Sequence, residues 1–323
     1  RWDDEFLPRL ESDLDTLRAL GETDADPATL GQRLERAIEI VQYHYYIHFI
    51  VIFTLFGATG RLAKLYQRIT GSDEEMGPYR LLQGLPTKSV EATSALERVA
   101  ALGRSVPAVA ELFDNPDPHS ILRRLKRTPE AADVVRGFDD YLASYGHRSV
   151  AEDISGPTWI EDPAYPLLAL RGYVQGAPRD LNAELSSQAD EANRTLTDTL
   201  ALIPASDDSL RREFESAVEA ARAAWPLRED HAHYIDQQSV AFLRRVLLLC
   251  GNRLTKQGTI ARTDDVFYLE IPEIQEAIES PDVHFHVRVD ERRAVRETLS
   301  KSAPPRFLGT MPEKGPVLDS ELA

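Results

Sequence analysis

The feature that most constrains the fold is a long apolar pattern of helical period near the N-terminus. It begins after Thr29, a candidate N-cap, and runs without a proline to Thr70, where Gly71 ends it. From Val41 to Phe56 apolar residues lie almost all round the helix. This distribution predicts a central helix that is buried on several sides by other elements of the chain.

Most of the remaining sequence is also helical in period. Leu7, Leu10, Leu14, Leu17 and Leu20 are spaced by three and four, as on one face of a helix. Further helices are predicted at about 87–103, 106–114, 118–126, 128–145, 180–202, 207–225, 231–256, 271–279 and 286–302, and a short strand from Asp265 to Leu269. We therefore expect an all-α fold class, an irregular multi-helix domain around a long buried central helix, with at most one or two short strands near 265–269.

The predicted domain organisation is one helical substrate-binding domain over 1–303. A proline-rich linker or tail follows at 304–323, where Pro304 and Pro305 stand together. Between these limits a long irregular stretch, 146–166, interrupts the helices. Long ordered loops inside a domain are often functional.

Charge and cysteine content exclude several classes of partner. The 323 residues carry a formal net charge of −16, which argues against nucleic acid or an anionic membrane surface as the main target. The most apolar stretch, from Ile47 to Gly57, is about half the ~20 residues that a membrane span needs. The one cysteine, Cys250, indicates a buried helix residue and a reducing compartment, so we expect a cytoplasmic protein.

General catalytic motifs are missing from the sequence. It holds no glycine-rich phosphate loop, no cysteine pairs or His-Glu-x-x-His for zinc, and no Gly-x-Ser-x-Gly elbow. Three polar constellations remain as candidates for a site.

The first constellation lies within the central helix. His44 and His48 are four residues apart and share one helix face, with Tyr45, Phe49 and Phe53 nearby. Two imidazoles among aromatic rings are able to line a ligand cavity. The alternative is a core helix whose polar groups bond to neighbouring backbone. Metal binding is disfavoured because the sequence places no third ligand, so no metal site is assigned.

The second constellation follows the end of a helix at Gly146. His147 and Arg148 come at once, with Glu152 and Trp159 further along. Arg148 has the planar donor fork that holds a phosphoryl or carboxylate group. A structural ion pair between Arg148 and Glu152 is the alternative.

The third constellation is the polar run that follows Pro226. It contains the polar residues Arg228, Glu229, Asp230, His231, His233, Tyr234, Asp236 and Gln237 ahead of an apolar helix. So much polarity beside a buried helix has a cost unless the groups meet a ligand or one another. Arg228 suits the charge of a transferring phosphoryl group, and His231 or Asp230 suits a base towards a hydroxyl. The alternative is a solvated turn.

Four segments occur together in one order and resemble a known family. They are Tyr145-Gly146-His147-Arg148, Pro157-Thr158-Trp159-Ile160-Glu161-Asp162-Pro163, Arg228-Glu229-Asp230-His231 with Tyr234, and Asp264-Asp265-Val266-Phe267-Tyr268-Leu269. Two earlier segments, Ile47-His48-Phe49 and Gln83 to Ser89, the latter containing Lys88, fit the same region. This arrangement is similar to the middle, acceptor-binding domain of phosphoenolpyruvate synthase-like enzymes, closest to the rifampicin phosphotransferases.

The resemblance implies a part of a larger enzyme. In that family an ATP-grasp domain binds ATP and Mg²⁺, a swivelling domain carries a phosphohistidine, and a third domain binds the hydroxyl acceptor. The products are AMP, phosphate and the phosphorylated acceptor. This chain corresponds to the acceptor domain only, so we expect the other two domains in cis or as separate subunits, no cofactor in this chain, and no activity from it alone.

The resemblance also implies roles for particular residues. Arg228 matches an arginine that contacts the phosphoryl group, with Asp230, Glu229, His231, His147 and Arg148 as the other catalytic candidates. Candidates for binding the acceptor are His44, His48, Tyr45, Phe49, Phe53, Lys88, Glu152, Trp159, Tyr234 and Gln237. The family pattern has a lysine where this chain has Ala232, which points to an acceptor other than rifampicin. We expect a small or medium hydrophobic alcohol or phenol.

Three alternatives stay open. In the first, the enzyme of which this domain is a part follows phosphorylation by elimination, as a dehydratase or lyase. In the second, the domain is a non-catalytic small-molecule binding module, for which the absence of the lysine at Ala232 is the argument. An unrelated helical lyase or hydrolase, with His231 or His147 as its base, would turn over substrate without ATP.

Overall fold

The structure is a computed structural model that describes residues 1–23, 25–150, 153–280, 282–303 and Gly309. It confirms the all-α fold class. The α-helices are α1 (Leu7–Leu20), α2 (Pro27–Thr70), α3 (Lys88–Ser105), α4 (Pro107–Ala110), α5 (Pro118–Leu125), α6 (Ala132–Tyr145), α7 (Ala164–Gln175), α8 (Leu181–Ala201), α9 (Asp208–Ala224), α10 (Leu227–His231), α11 (Val240–Gln257), α12 (Ile271–Glu279) and α13 (His286–Ser300). Two π-helices, Trp2–Phe6 and Ala232–Ser239, and four 3₁₀-helices, Pro78–Leu82, Glu111–Asp114, Pro129–Ala131 and Thr263–Tyr268, complete the described helical elements.

Two local expectations are wrong. Helix α2 begins at Pro27 rather than after Thr29, because the Asp26 carboxylate accepts a hydrogen bond of 3.1 Å from the backbone amide of Thr29 and so caps the first turn. The predicted strand near 265–269 is the 3₁₀-helix Thr263–Tyr268. There Asp265 accepts a hydrogen bond of 2.9 Å from the backbone amide of Arg262, and such a local bond favours a turn over an extended chain.

The described residues divide into two compact units. The first comprises residues 1–20 and 37–244, and the second residues 21–36 and 245–323. A compact unit is not by itself an independently folding domain, so a single helical domain over 1–303 stays a prediction. The proline-rich segment predicted at 304–323 lies, apart from Gly309, outside the described residues.

The first unit contains several apolar clusters. One joins α3, α5, α6 and α7 through residues such as Leu96, Phe113, Phe138 and Leu170. A second packs Leu62 and Leu65 of α2 against Phe214 and Val218 of α9. A third, smaller cluster holds the π-helix Ala232–Ser239 in place: its Ile235 packs with Leu10 of α1 and with Ile47 and Val51 of α2.

Helix α2 is less buried between Val41 and Phe56 than its composition predicts. Ile47, Val51 and Leu55 face the core, but four aromatic side chains face outwards. These are Tyr46, Phe49, Phe53 and Phe56, 59%, 55%, 69% and 54% exposed, which we call the aromatic face. Spacings of three, four and three residues place them in one stripe on the helix.

The length and composition of α2 also meet the criteria for a candidate membrane-spanning helix. An 18-residue window of α2 has a mean hydropathy of 1.4, and 28% of that window is buried. By length and composition alone this helix is able to cross a membrane, although Ile47 to Gly57 taken alone is too short. One such helix is weak evidence, because core helices pass the same test.

The second unit has buried apolar residues of its own. Ile274 and Ile278 of α12 are buried, as are Val266 and Val289. Cys250 is buried as predicted, and burial raises the pKa of its thiol to about 12. Such a thiol is a packing residue and not a nucleophile.

Candidate functional site

The π-helix Ala232–Ser239 sets the geometry of the site in the first unit. In a π-helix the backbone bonds run from residue i to residue i+5, so side chains five apart come close together. His231, at the cap of this π-helix, and Asp236 are such a pair: Nε2 of His231 lies 3.9 Å from Oδ2 of Asp236. In a regular α-helix these two side chains would point in different directions.

His48 of α2 completes a cluster with this pair. Its Nδ1 lies 3.2 Å from Oδ1 of Asp236, and its ring packs edge-on against that of His231 with centroids 4.8 Å apart. One nitrogen from each imidazole and one carboxylate oxygen all lie within 4.8 Å of one another. We call His48, His231 and Asp236 the His–Asp cluster.

Burial controls the electrostatics of the His–Asp cluster. Desolvation lowers the pKa of His231, whose side chain is 3% exposed, although the carbonyl of Leu227 and the Asp236 carboxylate oppose the shift. Desolvation raises the pKa of Asp236, opposed by the two imidazoles. Nδ1 of His231 donates to the carbonyl oxygen of Leu227, which leaves the Nε2 lone pair facing Asp236 when the ring is neutral.

His44 belongs to a different set of contacts. It is fully buried, its Nδ1 lies 2.6 Å from Oγ of Ser239, and its Nε2 lies 3.5 Å from Oδ2 of Asp13. Burial lowers the pKa of His44, opposed by Asp13. Although His44 and His48 share a helix face, the structure separates their partners. The contacts of His44 are those of a core residue that anchors the π-helix.

A cavity of about 1140 Å³ lies beside the His–Asp cluster. Asp236 reaches its wall, together with six residues singled out from the sequence: Tyr45, His147, Arg148, Trp159, Glu229 and Gln237. Aromatic side chains form much of the wall, namely Tyr141, Trp159, Tyr165 and Tyr173. The structure thus gathers parts of all three sequence constellations around one space.

Arg148 is the basic group that the structure places most clearly in this cavity. Its Nε donates a hydrogen bond of 3.0 Å to Oε1 of Gln237, and its guanidinium lies 5.6 Å from the ring centroid of Trp159. Trp159 in turn stacks on Tyr165, with centroids 5.2 Å apart. The suggested partner Glu152 lies outside the described residues, so the expected Arg148–Glu152 pair is untested.

An ion pair between a buried arginine and a partly exposed glutamate fixes the irregular loop that carries Trp159. Arg244 of α11, which is 5% exposed, donates from Nε and Nη2 to both carboxylate oxygens of Glu161 at 3.0–3.2 Å and from Nη1 to the carbonyl of Ile154 at 2.9 Å. Glu161 also accepts from the amide and hydroxyl of Thr158. Burial alone would raise the pKa of Glu161, but the bonds from Arg244 and Thr158 outweigh it and lower that pKa.

Glu229 and Asp230 both hold the start of α3. Asp230 accepts a hydrogen bond of 3.0 Å from the backbone amide of Lys88, and Glu229 accepts one of 2.7 Å from Oγ of Ser89. A carboxylate at a helix N-terminus satisfies free amides and the helix dipole. Desolvation raises the pKa of Asp230, partly offset by the Lys88 amide. These contacts give both carboxylates a structural role at the start of α3, and their catalytic role stays a prediction.

Arg228 lies apart from the large cavity. Its side chain is 55% exposed, its Nε is 3.3 Å from Oε1 of Glu229, and its guanidinium is 5.3 Å from a ring centroid of Trp225. It lines a second groove of about 710 Å³, whose walls also include Phe56 of the aromatic face and Gly84. Gly84 has φ of 74°, and a Cβ there would stand 2.3 Å from the amide nitrogen of Ala189, so a side chain has no room.

The remaining candidate residues lie in different parts of the first unit. His147 packs edge-on against Phe242, with centroids 4.9 Å apart. Lys88 pairs with Glu91 at 2.8 Å and lies over the ring of Tyr234 at 5.9 Å. Phe49 and Phe53 belong to the exposed aromatic face and do not line the large cavity.

Three residues of the site were missed by reasoning from the sequence. Asp236 stands in the third constellation, but only the π-helical register brings it to His231. Arg244 and Glu161 are 83 positions apart and meet only in the folded chain. The one signal in the sequence was Arg244 within an apolar helix, where a charged side chain has to find a partner.

Comparisons with known proteins agree with this arrangement. The chain is 29% identical over its whole length to chondramide synthase cmdD of Chondromyces crocatus, covering 8% of that protein. It is 26% identical over 91% of its length to the uncharacterized phosphotransferase YvkC of Bacillus subtilis, covering 35% of it, and 26% identical over 66% of its length to the rifampicin phosphotransferase of Streptomyces sviceus, covering 25% of it. The chain therefore spans about a third or less of these curated relatives.

The family comparison covers more than half of the chain. Residues 48–229 match the family described as the rifampicin phosphotransferase fourth domain. That range contains Arg148, Trp159, Arg228 and most of the cavity wall, whereas His231 and Asp236 follow it directly. The chain belongs to the family described as the rifampicin phosphotransferase fourth domain, which is one domain of a phosphotransferase.

Proposed function

We propose that this chain is the acceptor-binding part of an ATP-dependent phosphotransferase. The acceptor hydroxyl receives a phosphoryl group from a phosphohistidine on a separate domain, and an ATP-grasp domain charges that histidine with ATP and Mg²⁺. AMP, phosphate and the phosphorylated acceptor are the products. The observation that carries the proposal is the cavity of about 1140 Å³, which has aromatic walls and, at one side, Arg148 and Asp236.

The lining of the cavity favours a hydrophobic alcohol or phenol as acceptor. Sites for small molecules usually measure about 300–1,000 Å³ and combine apolar walls with a few polar groups. Trp159 and Tyr165 form a stacked pair on which a flat or apolar acceptor packs. Arg148 and Gln237 supply the polar contacts that orient it.

The site has two functional regions in this proposal. Within the cavity, Asp236 of the His–Asp cluster meets the acceptor hydroxyl, and the two imidazoles contact Asp236 from behind the cavity wall. The smaller groove and the cavity share Ser89 and Glu229 in their walls, and in this proposal the half-exposed Arg228 contacts the phosphoryl group there while the histidine domain delivers it to the acceptor hydroxyl. A phosphoryl group carried by another domain reaches an exposed arginine more easily than it reaches a buried arginine.

The test is an assay of the chain joined to, or mixed with, its ATP-binding and phosphohistidine domains. With ATP, Mg²⁺ and a panel of hydrophobic alcohols and phenols, we expect AMP release that depends on the acceptor. Arg228→Ala and Asp236→Asn should each lower acceptor-dependent AMP formation at least tenfold. Arg194→Ala, which removes only the exposed pair with Glu191, is the matched control and should leave the rate unchanged.

Two outcomes of this assay would contradict the proposal. AMP formation that is unchanged in both Arg228→Ala and Asp236→Asn would reject the site. Turnover by the chain alone without ATP would favour the unrelated lyase or hydrolase. Mass spectrometry of the product separates a stable phosphorylated acceptor from one that has lost phosphate by elimination.

A further inference from the structure

We propose that the His–Asp cluster is a binding site for a divalent transition metal ion with the ligand preferences of Zn²⁺. The ligands are Nδ1 of His48, Nε2 of His231 and a carboxylate oxygen of Asp236. Two imidazoles and one carboxylate are a common protein ligand set for such ions. No sequence motif announces this site, because its ligands come from α2, from the end of α10 and from the π-helix.

The distances within the cluster are close to those of a coordination shell. Ligand atoms bound about 2.1 Å from a tetrahedral Zn²⁺ lie roughly 3.4 Å from each other. In the cluster Oδ1 of Asp236 lies 3.2 Å from Nδ1 of His48, Oδ2 of Asp236 lies 3.9 Å from Nε2 of His231, and one ligand atom from each of the three residues lies within 4.8 Å of the other two. Bringing atoms at that upper limit to the spacing of a coordination shell takes a shift of at most about 1.4 Å in one imidazole ring.

The contacts of the cluster fit a bound cation better than a simple imidazole–carboxylate pair. Nδ1 of His48 is buried and lies 3.2 Å from an Asp236 oxygen, but within the described residues it is not aligned with that oxygen as in a regular hydrogen bond. A pair without a cation would align that nitrogen as a donor, since a buried polar atom without a bond has a cost of roughly 1–3 kcal/mol. A metal ion between the atoms would satisfy both of them.

A hydrogen bond from the second ring nitrogen of His231 also supports a metal site. Metal-binding histidines usually donate their second ring nitrogen to a carbonyl or carboxylate, which fixes the tautomer. Nδ1 of His231 donates to the carbonyl oxygen of Leu227, so its Nε2 points its lone pair towards Asp236. The π-helix, which brings Asp236 to His231, is itself an irregularity that is frequent at functional sites.

The metal site deepens the proposed function, but it does not depend on it. Three protein ligands leave a coordination position for a further group, as in catalytic rather than structural zinc sites. Because Asp236 lines the large cavity, an acceptor hydroxyl is able to take that position. Coordination lowers the pKa of a bound hydroxyl, whose proton then passes to water. This last role rests on the proposed function.

The experiment measures Zn²⁺ binding to the full chain, without an affinity tag of histidines, after removal of metal with a chelator. Isothermal titration should give one saturable site, and the Co²⁺ form should show the visible absorption of a four- or five-coordinate ion with nitrogen ligands. His48→Gln and Asp236→Asn are the primary variants, since both side chains are partly exposed. Each should weaken Zn²⁺ binding about 10- to 100-fold and change the Co²⁺ spectrum.

Two control variants separate this site from other histidines. His233→Gln changes another buried imidazole two positions along and should leave the affinity for Zn²⁺ unchanged. His286→Gln removes one ring of the stacked His284–His286 pair in the second unit and should also have no effect. Circular dichroism and thermal unfolding of the metal-free variants show which of them remain folded.

The proposal is overturned if the wild-type chain binds no Zn²⁺ saturably, or if folded Asp236→Asn and His48→Gln keep the wild-type affinity. Loss of binding in His286→Gln alone would assign the metal to the exposed pair and would also reject the site. None of these measurements involves ATP or an acceptor. A metal site that fails here therefore leaves the phosphotransferase assay standing, and a failure of that assay leaves the metal site standing.

Discussion

At the scale of single residues, the most consequential group is a buried arginine. Arg244 holds both oxygens of Glu161 and the carbonyl of Ile154, and so connects α11 to the loop that carries Trp159. A buried guanidinium of this kind is stable only with several acceptors, and the partner left behind when it is removed is poorly satisfied.

We expect Arg244→Leu to lower the free energy of unfolding by about 2–3 kcal/mol, because Glu161 and Ile154 lose their donor. Urea unfolding followed by circular dichroism measures this change. Arg212→Leu, in which an exposed arginine loses a bond to the Asp208 carbonyl, is the control and should cost less than about 0.5 kcal/mol. Equal effects of the two substitutions would show that the loop is held by other contacts.

Glu273 of the second unit gives a pH-dependent prediction. Burial would raise its pKa, but hydrogen bonds from Arg292, from the Glu270 amide and from Arg288 outweigh burial and lower it from 4.5 to about 2. A lowered pKa in the folded state stabilises the fold above pH 4.5, and this contribution is lost as the pH falls to about 2. Because both arginines are partly exposed, we expect about 1–3 kcal/mol.

Acid unfolding of Glu273→Gln tests this contribution. The variant should be less stable than the wild type at pH 7, and the two stability curves should converge between pH 4.5 and 2. If the difference in free energy of unfolding between the two proteins stays constant over that range, the charge of the Glu273 carboxylate does not contribute to stability.

At the scale of elements, the π-helix Ala232–Ser239 is decisive. Its Ser239 donates a hydrogen bond of 3.0 Å to the carbonyl of Tyr234, five residues earlier, and lies 2.6 Å from Nδ1 of the buried His44. The sequence predicts a helix here but not its π register. Helical period fixes only which residues are apolar, and a wider turn arises when tertiary contacts compensate for its poorer backbone packing.

Ser239→Ala removes both contacts of this hydroxyl. We expect the free energy of unfolding to fall by about 1–3 kcal/mol, because a nitrogen of the fully buried His44 loses its partner. Chemical denaturation measures the loss, with Ser187→Ala on the exposed side of α8 as the matched control. An effect no larger than that of the control would mean that packing of Ile235 alone holds the π-helix.

At the scale of the whole molecule, the aromatic face is the feature that composition did not predict correctly. A run as apolar as Val41 to Phe56 is typical of a buried helix, yet four of its rings are more than half exposed. Contiguous exposed apolar surface of this kind marks an interaction site or an aggregation liability. We therefore expect substitutions on the buried face of α2 to change stability, and substitutions on the aromatic face to change association.

Substituting serine on the two faces separates these effects. Phe53→Ser should change the free energy of unfolding by less than about 0.5 kcal/mol and reduce self-association in sedimentation velocity. Ile47→Ser, on the fully buried side, should cost at least about 2–5 kcal/mol. A large loss of stability in Phe53→Ser would show that this ring is covered in solution.

Period, capping residues and ordered segments are local properties, and from them the sequence predicts the all-α class, the length of α2 to within three residues, the burial of Cys250 and the family. It also named Tyr45, His147, Arg148, Trp159 and Gln237, which share the large cavity. Tertiary structure alone decided that His48 and not His44 meets Asp236, that Arg244 pairs with Glu161, and that Arg228 lies at a separate groove. These outcomes depend on helical register and on contacts between distant parts of the chain, which no local pattern records.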